Sequence, residues 1–327
     1  MRAVAVVVLV LALLLEAGCF FGSVITRNVA QLGEAPRPVP NRIEHPARPD
    51  ARLAVLWIGQ ATALIQLDDR FVLTDPVFTS AVGQLSHRLV EPGLDPANLP
   101  PRLDAVLISH MHFDHLSVGS LDLIAGRIAQ LFAPRGGLVY VPADRYPAAE
   151  LPWWQSWEDR GLRITAVPVL HVGGRYGLDR NWPSQAQAFT GYIIEYHGMT
   201  VFFAGDTAYD RARFLAIRAR FPSIDVALIP IAPLEPRAFM AHTHVDPDQA
   251  LQAFADVGAR RMVPIHFDTF INSEDHVGDA PRRLLAAMRE RGLGDDRVSL
   301  LAVGEQRVFI SNDPSRSIVG HAQAGTR

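Results

Sequence analysis

The sequence predicts a mixed α/β fold in which two sheets pack face to face with helices outside. Three observations lead there. Short apolar runs of β-forming residues and helical stretches occur in two similar halves of the chain. Several of these runs end abruptly on His or Asp, which puts polar chemistry at strand ends. And 49 % apolar content in 327 residues is enough to fill a substantial core.

Taken in order, Met1 and Arg2 precede an apolar run, Ala3–Leu15, that is too short for a comfortable membrane span and reads as a secretory signal. It ends in Leu15-Glu16-Ala17-Gly18-Cys19, and Cys19 is the chain's only cysteine. The stretch resembles a bacterial lipoprotein signal, in which such a cysteine is lipidated and becomes the mature N-terminus. Glu16 departs from it, standing where an aliphatic residue is usual. The expectation for 1–19 is export and membrane attachment, through a lipid on Cys19 or an uncleaved N-terminal anchor, and a lone cysteine excludes an intrachain disulfide. Residues 20–50, with Pro36, Pro38, Pro40, Pro46 and Pro49 and little apolar periodicity, read as an extended linker.

The folded domain is expected over 51–310. Its first strands fall at Leu53–Ile58, Thr62–Leu67 and Phe71–Thr74, broken by Gly59 and by Asp68-Asp69. A helix follows over Ser117–Gln130, with Leu121, Ile124 and Ile128 on one face and Ser117 as N-cap. Later strands are expected at Arg163–Leu170, Tyr192–Tyr196, Thr200–Ala204, Asp225–Ile231 and Met262–Ile265. Helices are expected at Asp210–Arg220, Pro247–Val257 and Pro281–Arg291. Asp246-Pro247 supplies a cap and a first-turn proline, and Gly258 a stop. Residues 311–327 read as a polar tail. A net charge of -3 offers no basic footprint and counts against a nucleic-acid partner.

Leu103–Leu116 reads LDAVLISHMHFDHL. Its apolar run, Leu103–Ile108, stops at Ser109, and His110, His112, Asp114 and His115 follow at once, as when a buried strand delivers metal ligands. Two residues apart, His110 and His112 can converge on one ion while Asp114 and His115 turn toward a neighbour. His171 follows Val169-Leu170, Asp206 follows Val201–Gly205, and His266 follows Met262–Ile265. Residues just past parallel strand ends can meet on one edge although distant in sequence, and Gly205 lets the chain turn sharply before Asp206. The expected assignment is His110, His112 and His171 on one divalent ion, Asp114, His115 and His266 on a second, and Asp206 bridging both. His and carboxylate donors without a thiolate point to zinc.

HxHxDH at His110–His115, FFAGDT at Phe202–Thr207 and the late His266 resemble the metallo-β-lactamase superfamily, which implies an αββα sandwich over about Leu53 to Ile310. Within it, the chain is similar to N-acyl-phosphatidylethanolamine-hydrolysing phospholipase D and its bacterial relatives. That likeness rests on Trp57-Ile58-Gly59, Leu73–Phe78, Ala105–Ser109, Ile229-Pro230-Ile231, Glu235-Pro236-Arg237, Phe239-Met240, His244–Pro247 and Ile265-His266. It implies the same metal roles and a contact between His244 and the substrate phosphate. Gln60 stands where relatives commonly have His, Met111 where they often have Asn, and Phe267-Asp268 where Trp-Gly is more usual. These departures, and those after His171, are expected to line the pocket and to bear on substrate choice, not to ligate metal.

The resemblance thus implies phosphodiester hydrolysis of phospholipase D type through a metal-bridging hydroxide, with Asp114, Asp206 and His244 carrying the chemistry. The substrate would be N-acyl-phosphatidylethanolamine or a similar phosphodiester, met at the membrane surface that holds the N-terminal anchor. The alternatives are a lactonase or β-lactamase-like hydrolase on the same site, and a non-catalytic metal-stabilised binding lipoprotein, against which the full set of ligands argues. Trp153, Trp154 and Trp157 fit either a lipid interface or, by the usual burial of large aromatics, the interior.

Overall fold

The computed structural model describes residues 18, 20–40, 42–83, 86–142, 144–175 and 187–313. The apolar run Ala3–Leu15, Cys19, most of the segment after His171 and the tail from residue 314 lie outside them. Residues 20–30 form helix α1. Strands β1 (Ala51–Gly59), β2 (Thr62–Leu67) and β3 (Arg70–Thr74) follow, then a small hairpin of β4 (Ala81–Val82) and β5 (Ser86–His87), and β6 (Ala105–Leu107). After α2 (Val118–Ile124) come β7 (Leu131–Ala133), β8 (Ala148–Glu150), β9 (Ser156–Asp159), β10 (Leu162–Val167), β11 (Gly191–Tyr196) and β12 (Met199–Phe203). The remaining elements are α3 (Arg211–Arg220), β13 (Ile224–Pro230), α4 (Arg237–Met240), α5 (Pro247–Val257), β14 (Ala259–Ile265), α6 (Asp279–Glu290) and β15 (Gln306–Ser311).

Two mixed sheets result, one ordered β15-β1-β2-β3-β6-β7-β8 and the other β14-β13-β12-β11-β10-β9. The central strands are buried on both faces: β2 and β13 are buried at every position, which is why their mostly apolar sequences do not alternate. Side chains of both sheets join in one core, with Trp57, Phe132, Tyr192, Phe202 and Phe203 fully enclosed. The buried Tyr192 hydroxyl crosses between the sheets and donates to the Ile108 carbonyl at 2.9 Å. In the first sheet β3, β6, β7 and β8 run parallel, as do β12, β13 and β14 in the second. Because β10 is antiparallel to β11, and β11 to β12, strands β6, β10, β12 and β14 present like ends to the ligand-bearing loops.

The capping chemistry is as expected. Ser117 accepts from the Ser120 N–H, Asp246 from the Gln249 N–H with Pro247 in the first turn, and Gly258 closes α5 at φ +73°. The helix after Ser117 is shorter than its apolar spacing suggests. It gives way to a 3-10 turn over Ala125–Arg127, because Ile128 leaves to bridge Leu103 at the sheet edge.

The linker expected at 20–50 is a correction. Helix α1 is docked on the domain: Arg27 donates to the carbonyls of Ser273 and Asp275, each at 2.6 Å, and Asn28 Nδ2 to that of Ile271 at 3.0 Å. Phe20 is buried against Phe239. The prolines that follow form a strap: Arg37 exchanges backbone hydrogen bonds with Leu89 and Glu91, and the Gln66 side chain bonds both backbone groups of Arg48. Most of these ties end on backbone groups, which an apolar pattern does not reveal. At the far end, Ser311 still belongs to β15, and Asn312 donates to the Pro49 carbonyl at 2.6 Å. The three tryptophans pack inward: Trp157 lies 5.1 Å from the Phe132 ring, Trp153 5.8 Å from Phe189, and the Arg220 guanidinium 3.7 Å over Trp154.

Candidate metal centre

Every side chain singled out for metal binding arrives at the site just past a strand. His110 to His115 follow β6, His171 follows β10, Asp206 follows β12 and His266 follows β14. Gly205 makes the close approach of the two halves feasible: its φ is +60°, and a Cβ there would sit 2.4 Å from Ser109 Cβ. Seven of the eight candidate site residues were placed from strand ends, and the eighth, His244, joins them from the turn before α5.

The donor atoms gather in two adjoining clusters. In the first, His110 Nε2 is 2.8 Å from His112 Nδ1, which is 3.4 Å from His171 Nε2. In the second, His115 Nε2 and His266 Nε2 are 3.0 Å apart, and Asp114 Oδ2 lies 3.6 and 3.4 Å from them. Asp206 Oδ2 is 3.2 Å from His115 Nε2 and 3.1 Å from His266 Nε2, while its Oδ1 is buried without a hydrogen-bond partner. Asp206 also has a carboxylate oxygen within 4.8 Å of donor atoms of His110 and His115, and of His171 and His244, so it joins the two clusters. Ligands bonded tetrahedrally at about 2.0–2.2 Å stand roughly 3.3 Å apart. The donor spacing, the mixed imidazole and carboxylate chemistry and the orphan Oδ1 fit metal binding.

The two clusters carry different charge. Burial pushes His110, His112 and His171 below the ordinary imidazole value, so they stand neutral with lone pairs ready. In the second cluster burial acts the other way on the carboxyls, yet it is outweighed. His266 and His115 hold Asp206 well below the carboxylate range, and His115 with His266 do the same for Asp114. Burial likewise opposes a proton on His266, but Asp206 and Asp114 raise it to about 9. His244 is pushed down to about 3, chiefly by burial, and its Nδ1 has no hydrogen-bond partner although it lies 3.6 Å from Asp206 Oδ2.

The imidazoles are held from behind. His171 Nδ1 lies 2.9 Å from the Thr243 carbonyl and His266 Nδ1 3.1 Å from that of Ala232, so both rings offer Nε2 to the site. His115 Nδ1 lies 2.7 Å from Asp75 Oδ2, and Asp75 in turn accepts from the Ser109 N–H at 2.7 Å and the Ser109 hydroxyl at 2.6 Å. Asp75 was not singled out for this role from sequence, although it shares the feature that identified the ligands: it directly follows a strand, β3. Gln60 was expected only to line a pocket. It is almost fully buried, and its Nε2 lies 2.7 Å from Asp114 Oδ2 and 2.8 Å from His266 Nε2.

Two cavities flank the clusters. One of about 490 Å³ runs from Gln60 and His266 past Leu89, Phe270 and Ile271 to Arg27 and Ala30 of α1. The other, about 390 Å³, reaches His112 and Asp114 beside Phe113 and Val82.

The sequence profile of the family described as Beta-lactamase superfamily domain matches residues 70–267. The chain belongs to the metallo-β-lactamase superfamily. Among relatives in that superfamily it is 35 % identical over 267 residues to an uncharacterised protein of Mycobacterium tuberculosis, covering 76 % of this chain and 68 % of the relative. It is 30 % identical over 251 residues to an N-acyl-phosphatidylethanolamine-hydrolysing phospholipase D of Caenorhabditis elegans, covering 71 % of this chain and 68 % of that one. A mitochondrial phospholipase D of the same description from Saccharomyces cerevisiae is 28 % identical over 77 % of this chain and 55 % of its own length. A metallo hydrolase of the archaeon Ignicoccus hospitalis shares the superfamily architecture at a TM-score of 0.56 and 21 % identity, over 78 % of this chain and 97 % of that one. The αββα sandwich expected from the motifs is therefore the fold, and the chain is a metal-dependent hydrolase by family.

Proposed function

We propose that this chain is a two-metal phosphodiesterase of phospholipase D type, acting on N-acyl-phosphatidylethanolamine or a similar phosphodiester at a membrane surface. The observation that carries the two-metal reading is Asp206, whose Oδ2 faces His115 and His266, whose Oδ1 is buried and unpartnered, and whose carboxylate also lies within 4.8 Å of donor atoms of His110 and of His171 in the first cluster. His110, His112 and His171 would hold one ion and Asp114, His115 and His266 the other, with zinc the metal that best suits the donors. When bound, such a pair lowers the pKa of a shared water toward neutrality and offsets charge on the transferring phosphoryl group.

The protein's own groups do the rest. Asp206 fixes the separation of the two sites, and Asp114 acts as a ligand, because its ionised form is the one its surroundings favour. Neutral His244, with Nδ1 unpartnered, is set to hydrogen-bond a phosphate oxygen and orient the ester. The apolar walls of the larger cavity, including Leu89, Ala232, Phe267, Phe270 and Ile271, suit an alkyl chain carried by the phosphodiester.

Helix α1 supports a lipid surface as the place of action. Phe21, Ile25 and Val29 recur at helical spacing and are all about half exposed, with Phe239 exposed beside them. The apolar run Ala3–Leu15 lies immediately before this helix. We propose that the N-terminal segment, through Cys19 or as an uncleaved anchor, holds the protein at a membrane with this apolar face against it. Among the described residues no helix is long and apolar enough to cross a bilayer.

The test is to mix the metal-loaded chain with vesicles containing N-acyl-phosphatidylethanolamine and follow products by mass spectrometry. Release of N-acylethanolamine with phosphatidic acid, lost in Asp206→Ala, is the expected result. No release from a protein that holds two ions would remove the lipid assignment and direct attention to lactones.

A further inference from the structure

Gln60 occupies a place that pocket lining does not explain. Its backbone is clamped on both sides at the β1–β2 turn: the N–H donates to Thr269 Oγ1 at 2.8 Å, and the carbonyl accepts from Trp57 Nε1 and from the His266 N–H, each at 2.9 Å. With φ at +52° the residue sits in the left-handed region, which for a side chain of this size requires the surroundings to hold it there. The amide so positioned is almost fully buried, and its nitrogen lies at the point toward which Asp114 Oδ2 and His266 Nε2 both face. Two of the donor atoms of the acidic cluster thus converge on a third polar group of this chain.

An amide has two ends of nearly equal size and opposite hydrogen-bonding character. With Nε2 inward, as here, its protons face the Asp114 carboxylate oxygen and the His266 Nε2, and the second contact is a hydrogen bond only when that ring nitrogen carries no proton. With Oε1 inward, three lone-pair atoms would face one another, which is repulsive unless a cation lies among them. His266 Nδ1 is committed to the Ala232 carbonyl, so Nε2 is the atom left to bind an ion, and an ion there cannot coexist with a Gln60 proton aimed at the same lone pair. A half-turn of the terminal torsion removes the conflict and delivers an oxygen.

We propose that Gln60 is a ligand of the second ion through Oε1, making that site one of Asp114, His115, Asp206, His266 and Gln60. This rests on the two-ion reading above. An added neutral oxygen raises the donor count past four and makes the site harder, which favours ions of higher coordination such as Mn²⁺ there, while the all-histidine site keeps its preference for zinc.

The test uses the full chain stripped of metal and titrated with Mn²⁺, with free Mn²⁺ read by electron paramagnetic resonance. Wild type should take up two ions, and Gln60→Ala should lose affinity for one of them by roughly 10- to 100-fold while binding the other normally. Gln60→Glu separates ligation from mere positioning of Asp114. A ligand role predicts binding of the same ion as tight as wild type or tighter, since an oxygen is kept and a charge added. A hydrogen-bonding role predicts weakening, since a second carboxylate would face Asp114 without a donor. Unchanged affinity in Gln60→Ala, or weakened affinity in Gln60→Glu, overturns the proposal. If Gln60→Ala does not fold, Gln60→Glu decides it alone. Uptake of a single ion by wild type would instead overturn the two-ion reading and this proposal with it.

Discussion

His110, His112 and His171 form a cluster of neutral bases, whereas Asp114, His115, His266 and Asp206 form a cluster of opposed charges a few ångströms away. The histidines of the first are backed by a backbone carbonyl at His171 and a hydroxyl at His110; the second is backed by a buried carboxylate, Asp75. The difference teaches how one strand-end motif can build two electrostatically distinct environments, one for each of the two proposed ions. The first cluster can accept a cation without releasing a proton. The second holds protons among its carboxylates when no cation is there, and an ion must displace them.

The largest effect that would test this division is at the residue both clusters share. Asp206→Asn keeps the size but removes the charge, and hydrolysis should fall by roughly 10³-fold or more as the shared support is lost. Metal analysis should show fewer than two ions; two ions at full affinity would mean that Asp206 does not bridge.

Next comes pH. His266 is raised to about 9, and against burial Asp206, Asp114 and Asp75 hold His115 well above its ordinary value, so between pH 6 and 8 an ion entering the acidic cluster displaces protons, and apparent affinity should rise about tenfold per pH unit for each proton released. The His110, His112 and His171 site should stay nearly flat, because those rings are already below their ordinary value. Calorimetric titration in buffers of different ionisation enthalpy counts the protons released. The metal-free fold has the opposite dependence at this group: the stabilising protonation of His266 is complete below its ordinary 6.5 and is lost as pH rises through about 9.

Asp75→Asn should weaken the acidic cluster more than the other, by roughly 10- to 100-fold, because His115 bonds that carboxylate directly while His110 reaches it only through Ser109. An equal loss at both sites would break the comparison. The smallest effect is expected at Ser109→Ala, which takes one hydrogen bond from Asp75 and the hydroxyl beside His110 Nδ1: about 1 kcal/mol, or roughly five-fold in affinity, shared between the two clusters.

The ligands were legible because each breaks an apolar run, and a buried strand that ends on His or Asp needs a reason to do so. Asp75 follows β3 in the same way, but a lone Asp before Pro76 also reads as an ordinary turn, and only the fold brings His115 to it. Gln60 was hidden because an amide carries no charge to mark it, and its role depends on a backbone turn held by Trp57, Thr269 and His266. The docking of α1 was hidden for a different reason. Its ties to the domain run from Arg27 and Asn28 to backbone carbonyls, which leave no pattern in sequence, and the prolines beyond it suggested a free spacer. Strand β7 and the edge strand β8 have three residues each, too few for any periodicity to register.

For a protein anchored as proposed above, the clasp between α1 and the loop at Ser273 and Asp275 has a consequence for its lifetime at a surface. Arg27 and Ala30 wall the same cavity that begins at His266, so the segment nearest the N-terminus is not a detachable tether. A protease cutting after this helix would free the domain and open the cavity in one stroke. Shedding and loss of substrate selection would then be a single event.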